Sequence, residues 1–418
     1  MAKSYEDQVL EQIEQYRDTE VMHDLPEAFH RWSADYVGPG LRAVFGVSDI
    51  NGFYVEAFLV ASAGVAAPVF LSLGCGDGAV EIGIARTLVE RGVGRFRFVC
   101  YDLSEILLDR FRAALPGELA ERFELVSGDL NGAPLAATFD AVMANHSLHH
   151  IVDLEGVYRT AYDNLAPHGI FVTGDMIGRN GHMRWPEARL FVEFFWPFLT
   201  MAQRRNVLLR REERRFMDHD CSTEGFEGVR AEEVLPLLLK QGFVPARFFG
   251  FGGMADVFTD RCFGPNFDVE KPDDAFLARR IGLLNEVLLD AGLVKPTMML
   301  AWFSKAAGPE VCYRGRTARG SVREPGSEPG WLAGALEDLS KSREEPDYVF
   351  RMGDVAVPSS PPAGLLGELV AGLRQAQGEA AEARALLEEA RGRVRAMEGS
   401  TSWRVTGPLR RVVRRFRG

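Results

Sequence analysis

The stretch "VFLSLGCGDG", residues 69–78, joins an apolar run to three glycines, Gly74, Gly76 and Gly78, within five positions. A run rich in Val, Leu and Phe that ends on glycine suits a strand buried on both faces, and the glycines let the backbone turn tightly and approach a ligand closely. The next residues place Val80, Ile84 and Leu88 at helical spacing and stop at Gly92, so the unit reads strand, glycine turn, helix. Free N–H groups and the positive end of the helix dipole make such a turn a cradle for a nucleotide. Asp102 closes a second apolar run 26 residues beyond Gly76, where a carboxylate can accept hydrogen bonds from both hydroxyls of a ribose. Polar groups recur downstream: Asp129 in "VSGDL", then Asn145, His146, His149 and His150 in "ANHSLHHIVDL", then Asp175 in "VTGDM". Imidazole titrates near neutral pH, so His149 and His150 are candidates for taking a proton from an acceptor, with Asp175 an alternative base or substrate anchor. His146 and His150, four apart, invite a zinc reading. A zinc site takes at least a third protein ligand and none is evident nearby, so no metal is expected.

These residues need a scaffold that brings the ends of several strands together. Strands and helices alternate: "FRFVCYDLS", "FELVSGDL", "FDAVMANHS" and "GIFVTGDMI" follow the first strand, with "LLDRFRAAL" and "LEGVYRTAYDNLAP" as helices between them. Two later strands, "FVPARFFGFGG" and "PTMMLAWFSK", finish the count, separated from the first five and from each other by long insertions of the kind that roof an active site. The pattern predicts an α/β fold, a Rossmann-like, doubly wound, mostly parallel seven-stranded sheet, with ligands at the carboxyl ends of the strands. A helical preface is expected over residues 1–64, in two pieces, 4–17 and 25–63, with Asp24 as an N-cap and Pro26 in the first turn. The globular domain should run from 65 to 305, a Gly/Pro/Ser-rich linker from 306 to 362, and a helix with a heptad seam from Leu366 to Met397 within residues 363–398.

Composition narrows the class. The chain has 418 residues, 46% of them hydrophobic and 26% charged, which is ordinary for a globular protein of more than one domain. Its five cysteines form no C-x-x-C pair, so reduced thiols are expected. The net charge is −11, yet residues 399–418 hold six Arg and no acid; removing that +6 leaves −17 on the other 398 residues, a poor surface for nucleic acid. No uncharged apolar stretch of about 18 residues predicts a membrane span, and the charged start lacks the apolar core of a secretory signal, so a cytoplasmic location is expected.

A glycine turn alone fits NAD, FAD and S-adenosylmethionine equally. The segments "VFLSLGCGDGAVEIGIA", "YDLSE", "SGDL", "FDAVMANHSLHHIVDL" and "NLAPHGIFVTGD", in this order, resemble the class I S-adenosylmethionine-dependent methyltransferases over roughly residues 65–176, and to about 305 with the last strands. The resemblance implies S-adenosyl-L-methionine as cofactor. It places Gly74, Cys75, Gly76 and Asp77 at the methionine part, Asp102 and Leu103 at the ribose, Asp129 and Leu130 at the adenine, and Asn145 and His146 beside the transferable methyl. One position departs: Ser72 stands where the family usually carries an acid that supports the methionine amino group, with Asp77 or Glu81 as substitutes.

The acceptor is addressed by two other segments. "RNGHMRWPEARLFVEFFW" offers Arg179, His182, Arg184 and Trp185, suited to an anionic or sugar-bearing acceptor, while Phe191, Phe194, Phe195 and Phe198 at helical spacing are expected in the core. The end, "STSWRVTGPLRRVVRRFRG", resembles a C-terminal signature of bacterial cell-surface glycan assembly enzymes. It also reads as a basic amphipathic segment, with Leu409, Val412, Val413 and Phe416 on one face, suited to an anionic membrane surface. The leading expectation is an O-methyltransferase for a sugar hydroxyl, with a coiled-coil or glycosyltransferase partner. The alternatives are a natural-product methyltransferase and a non-catalytic assembly adaptor.

Overall fold

Alternate side chains of the first strand enter different hydrophobic layers, which is what a sheet covered on both faces requires. The computed structural model describes residues 25–130, 137–223, 226–324, 330, 332–335 and 337. The chain enters through α1 (Glu27–Trp32), a wide turn over Ser33–Val37, α2 (Gly38–Phe45) and α3 (Ile50–Ser62). Then come β1 (Val69–Leu73), α4 (Ala79–Glu90), β2 (Arg97–Asp102), α5 (Glu105–Ala114), β3 (Phe123–Ser127), β4 (Phe139–Asn145), α6 (Leu154–Asn164) and β5 (Leu165–Met176). The first insertion holds α7 (Pro186–Phe195), the hairpin β6 (Arg205–Asn206) and β7 (Arg211–Glu212), and α8 (Ala231–Gln241). The chain continues through β8 (Val244–Phe251), α9 (Pro272–Asp290), β9 (Met298–Ser304), β10 (Val311–Cys312) and α10 (Ala318–Ser321).

The main sheet has eight strands in the order β10-β8-β9-β5-β4-β1-β2-β3. Every pairing is parallel except those of β9, which runs against β5 and β8. Because β1 pairs with both β2 and β4, the strand order reverses there and opens a crevice at their carboxyl ends. Phe70 packs with Phe53 and Phe58 of α3 on one face, while Leu71 and Leu73 pack with Tyr158 of α6 and Leu235 of α8 on the other. Each fully buried ring of this kind contributes about 2–3 kcal/mol.

Four expectations change. The sheet has eight strands rather than seven, because Val311 and Cys312 extend it beside Arg247 and Phe248 of β8. The ordered fold therefore passes Lys305, where a linker was expected to begin. Arg316 clamps this extension to α9, paired with Glu286 and, at 2.8 Å, with Asp290. The Gly/Pro/Ser content of the segment, read as linker, belongs here to turns at a sheet edge. Pro26 sits at the N-cap of α1 rather than inside its first turn. Finally, Glu27–Ser62 includes a window with a mean hydropathy of 1.3, enough to cross a membrane by composition. The run is broken by Gly46, with φ of 75°, and Phe53, Tyr54 and Phe58 are buried in the core. The helix at 4–17, Asp24, most of the linker, the coiled coil at 363–398 and the tail at 399–418 lie outside the described residues.

Candidate active site

The crevice at the end of β1 is built by the glycines. Gly74, Gly76 and Gly78 all have positive φ (75°, 57° and 73°), a conformation that residues with a side chain rarely adopt. At Gly74 space also decides, since a Cβ there would lie 2.6 Å from Cβ of Ser147. The backbone N–H groups of Gly74 and Cys75 donate to the Tyr101 carbonyl at 2.8 and 3.0 Å, which ties the turn to the end of β2. Asp102 completes it: its carboxylate accepts from Gly76 N–H and from Ser104 N–H, both at 2.8 Å. A backbone hydrogen bond from Leu103 adds to these, and a carboxylate with about four lone-pair directions keeps capacity beyond three such bonds, so Asp102 is oriented without being exhausted as an acceptor. Asp77 accepts from Ala79 N–H at 3.1 Å at the start of α4. Cys75 is buried, and a hydrogen bond with Cys100 together with burial pushes its thiol well above the ordinary value, an inert group. Leu103 is half-buried, as are Asp129 and Leu130, which end the segment before residue 131.

The departure at Ser72 resolves locally. Its hydroxyl donates to Glu81 Oε1 at 2.7 Å, and both side chains are buried. Glu81 lies in the first turn of α4, so the acid missing from β1 arrives from the helix that follows the cradle. Burial raises its carboxyl from the ordinary 4.5 to about 7, against the Ser72 hydrogen bond, which favours the charged form. The neutral acid is thus favoured in the folded state, and its contribution to stability is complete below about pH 4.5 and lost as pH rises toward 7, about 3 kcal/mol in all. A cationic amino group placed beside it would restore the charge. The expected outcome is that S-adenosylmethionine binds more tightly as pH rises through this window, and that Glu81→Gln removes the dependence in a pH series of binding isotherms. A flat wild-type profile contradicts a role for Glu81 at the amino group.

Asn145 ends β4 on the same edge. Tyr54 OH donates to Asn145 Oδ1 at 2.7 Å and accepts from Gly174 N–H at 3.1 Å, so a fully buried tyrosine of the helical preface spends the amide's acceptor and leaves its N–H groups pointing elsewhere for partners. His146 follows with φ of 50° and an exposed side chain, its N–H bonded to the Gly174 carbonyl at 2.8 Å. Ser147 Oγ donates to the Leu73 carbonyl at 2.6 Å, fastening the turn to β1.

Asp175, buried at the end of β5, organises the next turn. Its Oδ2 accepts from Ser147 N–H (3.0 Å) and Leu148 N–H (2.9 Å), and its Oδ1 lies 2.6 Å from His149 Nδ1. Both oxygens are committed to the scaffold, so Asp175 is a positioning residue rather than a base. With Nδ1 held, His149 directs Nε2 toward Glu227, 3.7 Å from Oε1. His182 Nε2 lies 2.7 Å from the same oxygen, and the His149 and His182 rings meet edge to face with centroids 5.3 Å apart. His150 stacks on His149 at 4.0 Å, its Nδ1 3.3 Å from the Phe226 carbonyl. Burial opposes charge on His149, but Asp175 and Glu227 outweigh it and raise the imidazole to about 10. Burial and the adjacent His149 depress His150 to about 3 and also lower His182. Burial acts to raise the Glu227 carboxyl, yet His149 and His182 hold it far below the usual range.

Sequence reasoning missed Glu227 and Tyr54 and read His182 only as an acceptor contact. Nothing local marks Glu227; it reaches the site because the loop before α8 is pinned by the Gly181 N–H bond to the Gly228 carbonyl, 2.9 Å. Other expectations for the insertion do not hold. Arg184 is buried with its guanidinium 3.6 Å from Asp256, and Trp185 carries the Arg323 guanidinium 4.5 Å above its ring, so neither is a ready acceptor contact. Phe194 and Phe198 are 56% and 40% exposed, because the phase of α7 turns Ala188, Val192 and then Trp196 inward instead. The four-apart pair His146 and His150 does not gather; the histidines that do are His149 and His182.

Residues 71–171 match the family model described as a methyltransferase domain. No curated protein matches the chain. Among solved structures, it is similar to an S-adenosylmethionine-dependent methyltransferase from Clostridium acetobutylicum, with 16% identity and a TM-score of 0.25 over 34% of this chain and 59% of that one. It is similar to an S-adenosylmethionine-dependent methyltransferase from Mesorhizobium loti, with 22% identity and a TM-score of 0.32 over 57% and 90%. A third similarity is to the O-methyltransferase of a Brevibacillus brevis polyketide multienzyme bound to S-adenosyl-L-homocysteine, with 12% identity and a TM-score of 0.34 over 66% and 78%. The chain spans 59% of the length of the first of these relatives.

Proposed function

We propose that the chain, whose residues 71–171 match a methyltransferase domain, is an S-adenosylmethionine-dependent enzyme that methylates a hydroxyl oxygen, that of a sugar in bacterial cell-surface polysaccharide. The observation that carries the oxygen is the cluster of His149, His150, His182, Asp175 and Glu227 at the carboxyl ends of β4 and β5, one turn past Asn145. Methyl transfer is an in-line displacement at a sulfonium carbon, so alignment and exclusion of water do most of the work. An amine with a free lone pair needs no more, whereas a hydroxyl must also lose a proton, and this cluster supplies groups to handle it.

Within this reading each part of the chain has a task. The glycine turn holds the methionine part against Glu81, Asp102 takes the ribose, and Asp129 and Leu130 hold the adenine. Asn145 and His146 stand beside the methyl, with His149 aimed by Asp175 at the acceptor side. Glu81 standing against Ser72 supports turnover over a non-catalytic adaptor role. The glycan half of the proposal is supported by the C-terminal signature, and the basic tail supports a peripheral position at the inner face of an anionic membrane. Incubation of the full chain with methyl-labelled S-adenosylmethionine and lipid-linked glycan should yield a methylated sugar. Label appearing only on small aromatic metabolites overturns the glycan assignment in favour of a natural-product acceptor.

A further inference from the structure

We propose that His149, His182 and Glu227 form a binding site for one divalent transition-metal ion, with Asp175 as the outer carboxylate that orients His149. One ligand atom from each of the three lies within 4.8 Å of the others. Ligand atoms around a zinc-sized cation at about 2.0–2.2 Å stand about 3–3.5 Å from one another. The separations of 2.7 Å for His182 to Glu227 and 3.7 Å for His149 to Glu227 bracket that spacing, and His149 and His182 lie within 4.8 Å of each other. The three residues come from three separate places, the turn after β4, the turn Asn180–His182 and the loop before α8. Chance neighbours on one helix face do not explain them.

Two further observations point to a ligand. The 2.6 Å contact from Asp175 to Nδ1 of His149 is the carboxylate–histidine arrangement that fixes the tautomer of a metal-bound imidazole and turns Nε2 toward the ion. His182 also holds a φ of 56°, a strained backbone of the sort found at functional positions. Two imidazoles and one carboxylate suit zinc, cobalt or nickel; calcium and magnesium require more oxygen ligands. Two nearby carboxylates balance the charge of a dication.

Three protein ligands leave a fourth position open, which is the form of a reactive rather than a structural site. Resting on the O-methyl transfer proposed above, that position takes the acceptor hydroxyl. The bound oxygen loses its proton to water and attacks the methyl carbon. As the new C–O bond forms the C–S bond breaks, and the electron pair stays on sulfur as S-adenosylhomocysteine.

The test uses the full chain, stripped with a chelator and titrated with Co²⁺ alone. One equivalent should bind, with visible ligand-field bands of a low-coordinate N/O site. His182→Ala and Glu227→Gln should each abolish the bands, and Asp175→Asn should weaken Co²⁺ binding by about 10- to 100-fold. S-adenosylmethionine binding to each variant checks the fold, and His182→Gln serves where His182→Ala loses it. Absence of stoichiometric Co²⁺ binding by the wild-type chain, or unchanged bands in the His182 and Glu227 variants, overturns the site. Co²⁺ binding without methylation of any hydroxyl acceptor leaves the site standing and removes the O-methyl reading instead.

Discussion

Replacing Asp102 by alanine is expected to raise the dissociation constant for S-adenosylmethionine by about 10²- to 10³-fold in a direct binding titration. The cofactor's ribose would lose up to two charge-assisted hydrogen bonds, each worth about 1.5–3 kcal/mol before the surroundings relax. The scaffold loses as well, since the N–H groups of Gly76 and Ser104 give up an acceptor at 2.8 Å. Asp102 and Ser104 are buried, so each donor left without its acceptor should cost about 1–3 kcal/mol of stability by denaturant unfolding. Asp102→Asn keeps the shape and one acceptor, and its affinity should fall between the two. Unchanged affinity in Asp102→Ala places the ribose away from the end of β2.

The second large effect concerns turnover. His149→Gln is expected to lower kcat by about 10²- to 10³-fold with little change in S-adenosylmethionine affinity, read from steady-state kinetics beside a binding isotherm, because Asp175 and Glu227 hold the imidazole protonated and its loss removes a fixed electrostatic group rather than a base. The proposed cofactor cradle is the turn after β1 with Asp102, whereas His149 sits in the turn after β4 and is joined to the scaffold through Asp175. Gln is preferred to Ala because its amide can still donate to Asp175; deleting the ring leaves a buried carboxylate without its partner, at a cost of about 3–5 kcal/mol. Full activity in a folded His149→Gln enzyme removes this cluster from the chemistry.

The order of elements and the location of the crevice were legible from residue order alone. Alternating apolar runs and helical periodicity located β1 to β5, β8 and β9, and the positive φ at Gly74, Gly76 and Gly78 is what three glycines after a buried strand imply. Asp102, Asn145, His149 and Asp175 could be named because each ends a strand or begins the turn after it, a position that local pattern reveals. Short-range periodicity says nothing about which distant loops meet. Glu227 lies 78 residues from His149 and His182 lies 33 away, and only the packing of the first insertion over β4 and β5 brings them to one imidazole. The same limit separates Val311 and Cys312 from a linker: a two-residue strand has no periodicity, and its pairing with β8 depends on an exposed sheet edge and the Arg316 clamp. At Ser72 the two levels combine. The sequence by itself determined that β1 lacks an acid, and the tertiary structure decided that Glu81, nine positions on, supplies one, because the first turn of α4 lies close enough to β1 for a 2.7 Å hydrogen bond.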